Sequence, residues 1–177
     1  VVGVTLDGTF AKSDSASFTV STTNSTGYTL NIKSDISSGN DGSGVLLYNG
    51  NDDSYTIPSL GGSGFPTGGI NEATYRASST YKNTWGYQPS MIDSSSNANF
   101  LPSPDSIGDT LNVTNCANGT VNTTCTNASD TYSIAIGAKV DSMIQVGSYS
   151  NTFVILATAN AIPYTIIYDD NTITNMP

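Results

Sequence analysis

Apolar and polar residues alternate most regularly between Tyr132 and Val140, where Tyr132, Ile134, Ile136, Ala138 and Val140 are separated by Ser133, Ala135, Gly137 and Lys139. A period of two predicts a strand with one buried face. A second run, Tyr149 to Ala159, puts Phe153, Ile155 and Ala157 on one side and Val154 and Leu156 on the other. A strand apolar on both sides is expected to be covered twice. Together the two runs read as a β-hairpin at the heart of the domain.

The same pattern, weaker, recurs along the rest of the chain. Val2, Val4 and Leu6 form a short strand closed by the turn signal Asp7-Gly8, and Ala16 to Thr23 forms another around Phe18 and Val20. Asn24-Ser25-Thr26-Gly27 leads into Tyr28, Leu30 and Ile32, which predicts a hairpin. Two apolar islands, Val45 to Tyr48 and Tyr55 to Leu60, lie among Gly and Asp clusters, with the Gly-rich segment around Phe65 as a loop. Glu72 to Tyr81 reads as one helical turn or a loop. Trp85, beside Gly86 and Tyr87, has the pattern of a core plug. Tyr164 to Tyr168 is a last strand after Pro163. Regular turn signals between short strands predict an all-β fold, a β-sandwich (Ig-like or jelly-roll-like) of about seven to ten mostly antiparallel strands with long Gly/Ser/Asn-rich loops. The sandwich is expected over residues 1–160, with 161–177 as a C-terminal extension or final strand.

Composition adds a setting. Ser, Thr, Asn and Gly make up nearly half of the 177 residues, and only 11% are charged. Ten Tyr and five Phe among many β-branched residues separate the chain from disordered, polar-rich sequences. The formal charge of −9 makes nucleic acid and anionic membranes poor partners, since both select clustered Lys and Arg. No run of about twenty apolar residues marks a membrane span. The opening Val-Val-Gly-Val reads as the start of a mature or excised chain. The acidic, hydroxyl-rich, Lys-poor balance is that of secreted or surface material, so an extracellular, cell-surface location is expected.

The side chains offer little chemistry. Histidine is absent, which removes Ser-His-Asp and Cys-His catalysis, and Glu72 is the single Glu. Neither a catalytic residue nor a cofactor is expected, and no metal site is assigned. Asn40-Asp41-Gly42 and Asn49 to Asp53 carry oxygen ligands at short spacing, a weak calcium signal that Asn-rich turns equally produce. Cys116 and Cys125 bracket a segment containing Asn118-Gly119, which favours a disulfide closing a local hairpin and stabilising it by roughly 3 kcal/mol. Such a bond belongs to an oxidising exterior. Asn24, Asn112, Asn118, Asn122 and Asn127 each begin an Asn-X-Ser/Thr triplet and are candidate glycosylation sites. A Lys–Asn isopeptide bond has one conceivable pair, Lys139 and Asn160, although Lys139 falls opposite the apolar face of its strand.

NTWGYQPS at 83–90, NFLPSPDSIGDTL at 99–111 and the segment from Tyr132 onward, with GAKVD, GSYSNT and ANAIP, resemble β-rich cell-surface proteins of ultrasmall, Saccharibacteria-type bacteria. The C-terminal stretch YTIIYDDNTITNMP is similar to the start of a Listeria–Bacteroides type repeat. The resemblance implies an exported, surface-displayed, non-catalytic module whose shared positions, Trp85, Gly86, Tyr87, Gly147 and Tyr149, determine the fold. It carries no functional residues over, and the Cys116–Cys125 hairpin is not part of the pattern.

Two functions fit these readings. One is a structural subunit or domain of a surface filament or adhesin. It would pair with other copies of itself or with neighbouring surface domains by strand complementation, with Val1, Val2, Val4 and Leu6 as candidate donor strand. The alternative is a module binding host or cell-surface glycans through an exposed row of Tyr81, Trp85 and Tyr87.

Overall fold

The computed structural model describes residues 5–24, 26–34, 47–50, 52–91, 99–104, 109–115 and 128–161. They fold as mostly antiparallel β-structure with one short helix. Twelve strands are present among them, three of only two residues.

The first sheet is built on a long strand. β1 (Asp7–Lys12) and β2 (Ala16–Thr22) follow one another along one edge of β10 (Ala128–Asp141), and β7 (Thr84–Met91) pairs with its other edge. β10 earns the central place through its alternation. Tyr132, Ile134, Ala138 and Val140 are buried, with Ile136 half-buried among them.

The second sheet has β3 (Gly27–Ser34) at its centre, between β9 (Asp109–Asn115) and β12 (Phe153–Ala159). Hydrophobic clusters join the two sheets. Tyr28 and Leu30 of β3 gather with Tyr132, and Ile32 with Tyr87 and Ile134. A neighbouring cluster sets Trp85, fully buried at 0% exposure, against Ile57, Ala138 and Val140, with Phe153 packed on it. Trp85 is thus the plug its Gly-Tyr neighbours predict.

The other face of the β10 sheet is covered too. β6 (Ile70–Asn71), α1 (Glu72–Ala77) and β8 (Asn99–Phe100) bring Ile70, Tyr75 and Phe100 against Phe10 and Leu60. A Cβ on Gly137 would lie 2.5 Å from the Phe100 ring and 2.8 Å from that of Phe10, so the glycine is what lets this layer close on the strand. A smaller sheet comprises β4 (Leu47–Asn49) between β5 (Asp52–Ile57) and β11 (Tyr149–Ser150).

Several sequence expectations need correcting. The run from Tyr132 to Asn160 is not a hairpin, because β10 lies in the first sheet, β11 in the small one and β12 in the second. Nor do Ala16–Thr23 and Tyr28–Ile32 pair. The Asn24–Gly27 turn has the expected chemistry, with Gly27 at φ +82° and its N–H donating to the Asn24 carbonyl at 3.0 Å. It carries the chain from one sheet to the other. Asp7-Gly8 opens β1 with a register shift, and Val1, Val2 and Val4, with the strand expected there, lie outside the described residues. So do Cys116, Cys125, Asn118, Asn122, Asn127, Asn40 to Gly42, and the final strand expected at 164–168.

Candidate functional site

The surface feature with interaction chemistry is β12. It pairs with β3 over its whole length in an unbroken register, from Phe153↔Ser34 to Ala159↔Tyr28. Among the described residues nothing pairs with its other edge. Phe153 points inward and packs on Trp85 and Tyr87, with ring centroids 5.9 and 5.8 Å away. Beyond it the strand is exposed: Val154 at 37%, Ile155 at 38% and Leu156 at 57%, then Ala157, Thr158 and Ala159.

Polar side chains pin the far end. The Asn160 backbone N–H donates to the Gly27 carbonyl at 3.0 Å, its Nδ2 donates to the Thr26 carbonyl at 2.8 Å, and its Oδ1 accepts from Thr29 Oγ1 at 3.0 Å. Its carbonyl accepts from Asn24 Nδ2 at 2.8 Å and Thr26 Oγ1 at 3.0 Å. An aromatic anchor at one end and an amide clamp at the other hold the strand extended.

Among the described residues β2 is also a seven-residue edge in unbroken register and without charge or proline, but its exposed side chains are only Ala16, Ser17, Thr19 and Ser21. Other edges are blunted. β1 carries the register shift after Asp7, and the strand edge is interrupted between β1 and β2 at residues 13–15. The outer edge of β7 is capped by bridges to Ser59 and Leu101. The β9 ladder is shifted between Leu30 and Asn31. Charges, bulges and covering loops are the usual protections of an edge strand. Phe153 to Ala159 has no charged residue, no proline and no register shift.

The residues singled out by sequence fall elsewhere. Trp85 and Tyr87 are fully buried, and half-buried Tyr81 packs edge-on to Phe65 and Tyr75. No exposed aromatic row exists among them, so the platform assumed for glycan binding is absent. Leu6 packs on the Trp85 cluster of its own chain. The Asn24 amide is engaged with Asn160 and accepts from the Thr26 N–H at 2.9 Å, while Asn112 lies in β9 opposite Leu30. Asn49, from the second oxygen-rich segment, is buried, and its amide fills the space where a Cβ on Gly147 would stand.

Lys139 and Asn160 belong to different places, which removes the isopeptide pairing. Lys139 is 5% exposed, and its Nζ donates to the carbonyls of Arg76 and Ser78 at 2.7 Å each. It thereby closes the C-terminus of α1, where cations are favoured and last-turn carbonyls lack partners. Asn71 caps the other end by accepting from the Thr74 N–H at 2.8 Å.

The carboxylates with resolved shifts all move down. Arg76 holds Glu72 below its ordinary range, with Lys12 assisting; the Thr9 hydroxyl and N–H do so for Asp7, and the Met143 N–H and Asn83 for Asp141. A general acid needs the opposite shift. Burial raises the Tyr75 phenol, whose hydroxyl donates to the Thr84 carbonyl at 2.8 Å. No group of three or more metal-ligating side chains gathers among the described residues. No helix among them is long and apolar enough to cross a membrane.

Compared with protein-family models, with curated proteins and with solved structures, the chain finds no match in any of the three.

Proposed function

We propose that this chain is a non-catalytic extracellular structural module, a subunit or domain of a cell-surface filament or adhesin, which joins a neighbouring copy or surface domain by strand addition at the edge of β12. The observation that carries the reading is that edge: seven residues in unbroken register with β3, apolar, uncharged and without a described partner on the outer side. An extended strand laid against it would gain main-chain hydrogen bonds along the edge and cover Val154, Ile155 and Leu156. The Ser/Thr/Asn-rich composition, the acidic charge and the resemblance to bacterial surface proteins support the setting.

Leu156→Lys tests the reading. A charge in the middle of the edge opposes strand addition, and the side chain sits on the exposed surface of a strand whose ends are anchored elsewhere. The expected result is that wild-type protein associates with rising concentration in sedimentation and forms assemblies visible by electron microscopy, while the variant stays monomeric, with the same melting temperature as the wild type at concentrations low enough that both are monomers. Equal assembly of both proteins, or a monomeric wild type at all concentrations, overturns it.

A further inference from the structure

Resting on the reading of β12 as an interaction edge, the geometry points to a specific occupant: β12 of a second copy, antiparallel, about a two-fold axis through Leu156. Strands paired directly across an antiparallel ladder keep their faces, so a residue on the Phe153 side must meet another from that side. Within Phe153–Ala159 the two-fold register that pairs all seven residues sets Phe153 opposite Ala159, Val154 opposite Thr158, Ile155 opposite Ala157, and Leu156 opposite itself. Sliding by one residue turns one copy's inner side chains onto the other's outer face. Sliding by two leaves two residues at each end unpaired.

The favoured register is complementary in size. The bulky half of the strand, Phe153 to Ile155, faces the small half, Ala157 to Ala159, so no large pair collides and no gap opens. The two Leu156 side chains, each the most exposed large apolar group of its strand, cover one another at the axis. Charge points the same way. Each copy carries a net −9, and two such chains approach with least repulsion along a strand that carries none. The nearest charge across β3 is Lys33, beside Val154, and the two-fold sets it towards the Thr158 and Thr29 end of the other copy. The product is one six-stranded sheet, β9-β3-β12 continued by the partner's β12-β3-β9. Its contact is a strand about 20 Å long, small beside standard stable interfaces, so association should be weak and concentration-dependent. An isologous contact of this kind closes on itself, and a filament containing it needs a second, different contact.

Cysteine cross-linking tests the register, with the wild-type chain as control for Cys116 and Cys125. Directly opposed residues have Cα atoms about 4.5 to 5.5 Å apart, within disulfide reach. Under mild oxidation Leu156→Cys should give a covalent dimer several-fold above the control. Val154→Cys alone should not, but mixed with Thr158→Cys it should. Absence of the Leu156→Cys dimer while Leu156→Lys still abolishes association overturns the two-fold pairing and leaves strand addition standing. Cross-linking of Leu156→Cys to Val2→Cys of another copy assigns the edge to an N-terminal donor and also overturns the pairing. An intramolecular disulfide in the double variant Leu156→Cys, Ile166→Cys, with the chain monomeric, overturns both readings. If Leu156→Lys has no effect on association, both fall.

Discussion

β10 and β12 are two strands with long apolar runs, and they ended in opposite environments. β10 alternates strictly, yet both its faces are buried and both its edges paired, by β1 and β2 on one side and β7 on the other. β12 is apolar on both sides, yet beyond Phe153 it is exposed and, among the described residues, pairs with β3 alone. What separates them is side-chain size on the second face. Gly137 lets Phe10 and Phe100 settle onto the back of β10, whereas Val154 and Leu156 stand up from β12 with only half-buried Asn31 and Thr29 and exposed Lys33 beside them on β3. A small residue invites a covering layer. A large one on a polar sheet surface remains available to something else.

That contrast breaks first at Gly137. Gly137→Val should cost about 3 kcal/mol or more, since the new atoms collide with two rings that have nowhere to go. Ala157→Val, the same kind of enlargement on β12, should stay within about 0.5 kcal/mol in the same chemical denaturation experiment. Next comes Lys139→Met, which keeps the apolar stem but leaves the Arg76 and Ser78 carbonyls without their donor. A loss of about 2 kcal/mol is expected, read as a lower melting temperature of the monomer, while Leu156→Lys, which places a cation on β12, leaves that of the monomer unchanged.

Smaller effects sharpen the same picture. Because each copy is strongly negative, salt should strengthen association through β12 by screening the repulsion, measurable by sedimentation between 0.02 and 0.5 M sodium chloride taken as an order-of-magnitude range, about 20 to about 4 Å in screening length. The smallest lies behind β10, where Glu72 bridges Lys12 at 3.3 Å and Arg76 at 2.6 Å. Its carboxyl is depressed in the fold, so its contribution is present above the ordinary carboxylate range and is lost as pH falls through the lowered value. With a third of the side chain exposed, Glu72→Gln should cost about 0.5 kcal/mol at neutral pH and nothing in acid.

Much of the core was legible in the sequence. The buried face of β10, the plugging role of Trp85 and the burial of Tyr28, Leu30 and Ile32 follow from alternation and aromatic content, and each is found. Pairing was not legible. The Asn24 side chain organises its turn in the same way whether the strands it joins pair or part, so local chemistry predicted a hairpin where the chain crosses between sheets. The layer behind β10 was hidden because Phe10, Leu60, Phe100 and the pair Ile70 and Tyr75 come from four separated stretches, none periodic enough to announce a face. Lys139 was correctly placed opposite Ile134 and Ile136, but its use as a helix cap needed α1, which the sequence left between a turn and a loop.

The pairing of early strands with late ones also governs how the chain can fold. β1 and β2 find their partner only at 128–141, and β3 finds its two only at 109–115 and 153–159. Loops of about a hundred residues must close before these ladders form, which predicts slow folding dominated by non-local contacts. A chain emerging N-terminus first therefore holds β1, β2 and β3 without the partners they have among the described residues until residues beyond 109 appear, and the amide clamp between Asn24 and Asn160 comes late.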